Sequence, residues 1–146
     1  MNNSVHNLES VYGFPIDYFR NCLDVGELTF FGEKFYSICS MYRHTEGFED
    51  SYDIVLQGRE AVWIISYGWT TIKFKSYKND IPRLLRKVVT FRCKDDTYKN
   101  HRIYLGIIAT GKFCLEFEKE CIENGIALIK QDGDTPVVHF ENLKVF

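Results

Sequence analysis

The stretch Gly106-Ile107-Ile108-Ala109-Thr110-Gly111-Lys112-Phe113 is the nearest this chain comes to a phosphate-binding loop. It keeps the glycines and the lysine of the GxxxxGK[ST] pattern, but Phe113 stands where a hydroxyl would hold magnesium. Ile107 and Ile108 read as strand interior, so a strand, a turn and a helix start account for the same residues. His6, His44, His101 and His139 are scattered, with no H-x-x-x-H or HExxH, and this spacing offers no metal site. The cysteines Cys22, Cys39, Cys93, Cys114 and Cys121 show no CxxC. Most sit in apolar company, as buried free thiols of a reducing compartment do. No GxSxG elbow occurs. One further spacing stands out: acidic Glu33, then Asp53, and thirteen positions later Ser66-Tyr67-Gly68. Taken singly, Asp53 also suits a strand start or turn, and Glu33 a helix surface.

The elements that must position these residues can be read from periodicity. Pro15 opens a short helix that runs through Leu23 and is broken at Gly26. Phe31, Phe35, Ile38, Cys39 and Tyr42 fall on an i, i+4, i+7, i+8, i+11 face, which predicts a helix over roughly 31–43 carrying Glu33. Tyr52–Leu56 and Ala61–Ile65 predict a hairpin around Gln57-Gly58-Arg59. The second arm is apolar on both sides, as a central strand is. Thr70–Tyr77 alternates, which predicts a half-exposed third strand. Asp80 and Pro82 start a second helix whose stripe is Ile81, Leu84, Leu85, Val88 and Val89. Lys94–His101 reads as a charged loop. A buried strand over Ile103–Ala109 follows, then a helix over about 112–124 stopped by Gly125. Two short strands, Ile126–Ile129 and Val137–Phe140, end the chain. The order is that of an α/β fold with a mixed central β-sheet flanked by helices.

At 146 residues the chain predicts a single domain over 1–146, with 1–12 a loosely ordered tail. Hydrophobic residues at 45% and charged residues at 26% exclude a disordered or fibrous chain. No apolar run is long enough to span a membrane, and the polar N-terminus does not read as a signal peptide. A cytoplasmic location is expected, or a nuclear one in a eukaryote. The net charge of −2 hides a separation: residues 73–102 carry ten Lys or Arg against three Asp or Glu, a net of +7, leaving −9 elsewhere. Lys73, Lys75, Lys78, Arg83, Arg86 and Lys87 could follow a phosphate backbone, or simply line a solvated face.

In element order, and in Gly32-Glu33, Tyr52-Asp53-Ile54-Val55 and Trp63-Ile64-Ile65-Ser66, residues 28–130 resemble the PD-(D/E)XK, or restriction-endonuclease-like, nuclease superfamily. The resemblance implies the order helix, three strands, helix, strand, helix, strand, with Glu33, Asp53 and Ser66 at the catalytic positions. The family's chemistry takes two carboxylates on Mg²⁺ and a lysine near the attacking water. Here Ser66 stands at the second carboxylate and Gly68 at the lysine. The resemblance therefore implies a degenerate domain without a cofactor. It would act by binding nucleic acid through residues 73–102, or a protein partner. Two alternatives stay open. One is an active Mg²⁺-dependent nuclease with migrated ligands, Lys73 or Lys75 supplying the lysine. The other is a protein-interaction module such as an immunity or antitoxin-like protein, which the aromatic content and acidic majority would suit.

Overall fold

Val62, Trp63, Ile64 and Ile65 have no polar side to turn toward water, and all four are fully buried. The fold is arranged around the strand they form. The computed structural model describes residues 17–42, 52–67, 80–94, 96–108, 115–132 and 135–146. Among the described residues there are three α-helices, α1 (residues 17–25), α2 (Asp80–Lys94) and α3 (Leu115–Glu123), and a 3-10 turn at Asp96–Tyr98. The strands are β1 (Leu28–Phe30), β2 (Glu33–Phe35), β3 (Ser37–Tyr42), β4 (Tyr52–Gln57), β5 (Ala61–Tyr67), β6 (Arg102–Ile108), β7 (Ala127–Asp132) and β8 (Thr135–His139). Six of them form one sheet in the order β3-β4-β5-β6-β7-β8, and β1-β2 is a separate hairpin. Pairing is antiparallel from β3 to β5, parallel for β5–β6 and β6–β7, and antiparallel for β7–β8. The mixed α/β architecture expected from the sequence is thus present, and β5 and β6 are its two central strands. The expected strand over Thr70–Tyr77 lies outside the described residues.

Strand alternation divides the core into two halves. Val62, Ile64, Ile103, Leu105 and Leu128 pack with Ile81, Leu84, Val88 and Phe91 of α2 and with Phe117 and Cys121 of α3. Ile54, Leu56, Trp63, Ile65 and Tyr104 point to the other side, where Phe19 of α1 and Leu28 and Phe35 of the β1–β2 hairpin cover them. The result is three layers, two helices on one face of the sheet and a helix plus a hairpin on the other. In α2 the predicted stripe is buried at Ile81, Leu84 and Val88 and half-buried at Leu85, but Val89 is 64% exposed, and Phe91 takes the core position instead. The turn of the helix puts Val89 on the solvent side of Val88. Gly125, at φ +75°, ends α3 as a glycine C′ residue does.

The helix predicted over 31–43 is not formed. Phe31 (φ 56°) and Gly32 (φ 74°) make a left-handed two-residue turn that joins β1 to β2 in register Phe30↔Glu33. Both central residues at positive φ match the hairpin turn whose twist suits the strands. Phenylalanine is a poor choice for that conformation, and its ring contacts explain its presence. It lies 5.1 Å from the Tyr104 ring, 4.8 Å from Trp63 and 5.1 Å from Phe140, centroid to centroid. Aromatic packing of this kind is worth about 0.5–1.5 kcal/mol per pair beyond area burial, enough to hold a strained turn residue. Glu33 therefore sits on a strand rather than a helix, which corrects the sequence expectation.

Candidate functional site

Ser66 lies near the carboxyl end of β5, and its register partner on the neighbouring parallel strand is Ile107. On the other side, β4 pairs with β5 through Ile54↔Ile65, so the backbone of Asp53 comes one step beyond that pair, at the level of Ser66. The Asp53 side chain lies outside the described residues. Ser66 follows Val62 and Ile64 in the alternation and so faces α2. There Lys87 Nζ donates to Ser66 Oγ at 3.5 Å, and both side chains are half-buried. Arg83 and Arg86 are exposed on the same helix, four and one residues before Lys87. The i, i+4 spacing brings Arg83 alongside Lys87 on the helix surface. Of the six predicted nucleic-acid-binding residues, α2 carries these three, and Lys73, Lys75 and Lys78 lie outside the described residues.

Among the described side chains of the group, none is an acid that a divalent cation could use. A serine hydroxyl offers no charge to offset a metal, and a lysine ammonium stands against it. Among the described residues, no three His, Cys, Asp or Glu come together in a way that could hold a metal ion.

Glu33 does not join Ser66. It is the one buried charged residue found among those described, 8% exposed, and it is held from the far end of the sheet. Arg102 grips its carboxylate with two donors, Nε to Oε2 and Nη2 to Oε1, the latter at 2.8 Å. The Tyr104 hydroxyl donates to Oε2 at 2.7 Å. Arg102 registers with Ala61, five residues before Ser66 on β5, which is roughly 17 Å at strand rise. Tyr104 belongs to the α1 side of the core, the face opposite α2. The expectation of Glu33 as a catalytic remnant beside Asp53 and Ser66 is corrected accordingly. Its three hydrogen bonds are those of a structural anchor tying the β1–β2 hairpin to β6.

The electrostatics follow from that geometry. Hydrogen bonding from Arg102 holds the Glu33 carboxyl below its ordinary value, against the opposing effect of burial. The same contact raises the Arg102 guanidinium. Burial, then the bond to Glu33, pushes the Tyr104 phenol up. Arg102 falls in the basic segment 73–102, but this partner and Glu60, at 3.7 Å, claim its charge.

Gly106 settles the nearby phosphate-loop pattern. It is a buried residue of β6, not part of a loop, and a Cβ there would meet Trp63 Nε1 at 2.6 Å and Cε2 at 3.2 Å. Its role is to admit the indole. Residues 109–114, which complete the pattern, lie outside the described residues.

Two features had no sequence signal. Arg92 of α2 donates to four backbone carbonyls: Tyr98 at 3.3 Å, Lys99 at 2.8 Å, His101 at 2.9 Å and Phe146. A cleft of about 690 Å³ opens between α3 and β7–β8, lined in part by Leu115, Ile122, Val138 and Phe140. Its polar lining includes the ion pair Lys130–Glu118 at 2.7 Å, and none of its residues belongs to the Ser66 group. Among the described residues no helix is long and apolar enough to cross a membrane. Comparison with protein-family profiles, curated proteins and solved structures found no match to this chain.

Proposed function

We propose that this domain is a degenerate member of the PD-(D/E)XK superfamily that binds nucleic acid along α2 and does not cut it. The observation that carries the reading is the contact of Lys87 with Ser66, where the family's second metal carboxylate would stand. Element order supports it. If α1 is taken for the early helix, the sequence α1, β3–β4–β5, α2, β6, α3, β7 is compatible with the order helix, three strands, helix, strand, helix, strand, the β1–β2 hairpin being extra. Asp53 is on the second of the three strands and Ser66 on the third. Arg83 and Arg86 are exposed on the surface of α2, and exposed arginines of one helix are a charge pattern that can track a phosphate backbone.

Fluorescence anisotropy of a labelled single-stranded and a double-stranded oligonucleotide tests this at low salt. Affinity should fall with salt by a log–log slope of roughly 0.7 to 0.9 per phosphate neutralised. The Arg83→Glu/Arg86→Glu variant should bind all sequences more weakly and with a flatter slope. The oligonucleotide should stay intact in Mg²⁺. No binding at micromolar protein overturns the reading, and Mg²⁺-dependent cleavage abolished by Asp53→Ala overturns its inactive part.

A further inference from the structure

We infer that the open edge of β8, with α3 standing across a cleft from it, takes an extended peptide of alternating apolar and basic residues as an added strand. The inference uses neither α2 nor the nucleic-acid reading. Among the described residues β8 is the last strand of its sheet, paired on one side only, with β7. Its register shows what the other side offers. Gln131 stands opposite Pro136, and a proline has no N–H, so these two form a non-hydrogen-bonded pair of the ladder. Antiparallel pairs alternate, so Lys130↔Val137 is hydrogen-bonded and Ile129↔Val138 again is not. The N–H and C=O of Val138 therefore point away from β7, to the open edge.

That edge borders the cleft of about 690 Å³, which Val138, Phe140 and Glu141 line from the sheet side and Leu115 and Ile122 line from α3. Leu115 is 80% exposed and Phe140 46%, apolar surface that alternate side chains of an added strand would cover. Strand addition works through these two parts: main-chain hydrogen bonds along an edge hold the peptide, and pockets beside it select the side chains. Charge decides which peptide. The lining holds three carboxylates against two ammoniums, and α3 as a whole carries four glutamates against one lysine. Lys130 engages Glu118 at 2.7 Å, whereas Lys119 stands 3.9 Å from Glu123 with both side chains exposed. Glu141 is exposed and has no ion pair among the described residues, so a lysine or arginine of the peptide finds a carboxylate there. A second copy of the chain suits the edge less. Two β8 strands laid edge to edge would each bring Pro136, which has no donor to give, and would draw two acidic helices together.

A displayed library of random octapeptides, selected against the full chain, tests this, with the enriched sequences remade as fluorescein-labelled peptides. They should alternate Val, Ile or Leu with other residues and hold more Lys and Arg than Asp and Glu. Binding should slow hydrogen exchange of the Val138 amide. Val138→Pro removes that donor at a position where an edge strand tolerates proline, and should weaken binding about 2–10-fold. Glu141→Lys should weaken it roughly 3–10-fold, and Leu115→Gln about as much. Urea unfolding of each variant checks that it is folded. A selection that enriches no sequence, or that enriches acidic ones, overturns the inference. So does binding that leaves exchange at Val138 unchanged, or three folded variants that bind like wild type. If the chain dimerises and Val138→Pro makes it monomeric, the edge belongs to a second copy and the inference is overturned.

Discussion

Glu33→Gln separates a structural carboxylate from a catalytic remnant. The substitution keeps the side chain's size and one carbonyl acceptor but removes the charge that Arg102 grips with two donors and Tyr104 with a third. Charge-assisted hydrogen bonds contribute about 1.5–3 kcal/mol net. Arg102 is 44% exposed and can turn to water once released, and the amide still accepts from Tyr104. The expected loss is therefore at the lower end, about 1–2 kcal/mol at pH 7. For a chain of this size that lowers the melting temperature by roughly 2–8 °C. The pH dependence has a definite sign. Arg102 holds the folded-state carboxyl below its unfolded value, so the unfolded chain takes up the proton first as pH falls. The stabilisation is complete above the ordinary glutamate value of about 4.3 and disappears as pH drops through the lowered folded value. Urea unfolding of both proteins between pH 7 and pH 3 should show two stability curves that lie apart at neutral pH and converge in acid. A Glu33→Gln protein as stable as wild type at pH 7, or a gap independent of pH, would refute the anchor. So would a loss of oligonucleotide affinity with stability unchanged, since that would return Glu33 to the binding site.

Gly106→Ala should cost about 1–3 kcal/mol through overpacking, because its Cβ would meet the buried Trp63 indole at 2.6 Å. Trp63→Phe in the same chain should offset part of that loss in a double-mutant cycle, and additive losses would count against the close approach. Arg92→Ala should destabilise by about 1.5–3 kcal/mol and speed amide exchange in residues 96–101, with Arg92→Lys restoring little because one ammonium cannot reach four carbonyls. Protection of those amides equal to wild type would contradict it.

What the sequence made legible was whatever depended on near neighbours. β5 and β6 could be read because runs of apolar residues with no polar face have few other places to go. α2 could be read from Asp80, Pro82 and the spacing of Ile81, Leu84 and Val88. The segment 31–43 misled because Phe31, Phe35, Ile38 and Tyr42 happen to repeat at helical intervals, while their rings and chains are drawn to β4 and to Trp63. Gly32, the second residue of that segment, is the local sign of a turn. The contacts that decide the sites are of another kind. Glu33 and Arg102 are 69 positions apart, and Lys87 and Ser66 are 21 apart. No periodicity encodes a pair of that sort, so charge patterning alone leaves Arg102 within the basic segment and gives no link between Lys87 and Ser66.

The two kinds of strand pairing impose an order in time on how the sheet can close. The β4–β5 hairpin needs only residues 58–60 to turn back on itself, and Gly58 N–H to Ala61 O at 2.8 Å closes it. Such local pairs carry a small loop-closure cost and can form early. The first β5–β6 pair joins Ala61 to Arg102 across the whole of α2. Until that crossover docks, β5 is an open edge, apolar on both faces, and so the stickiest part of the chain during assembly. Variants that weaken the packing of α2 on β5 and β6 lengthen that exposure, and would lose yield to aggregation before they lose much stability.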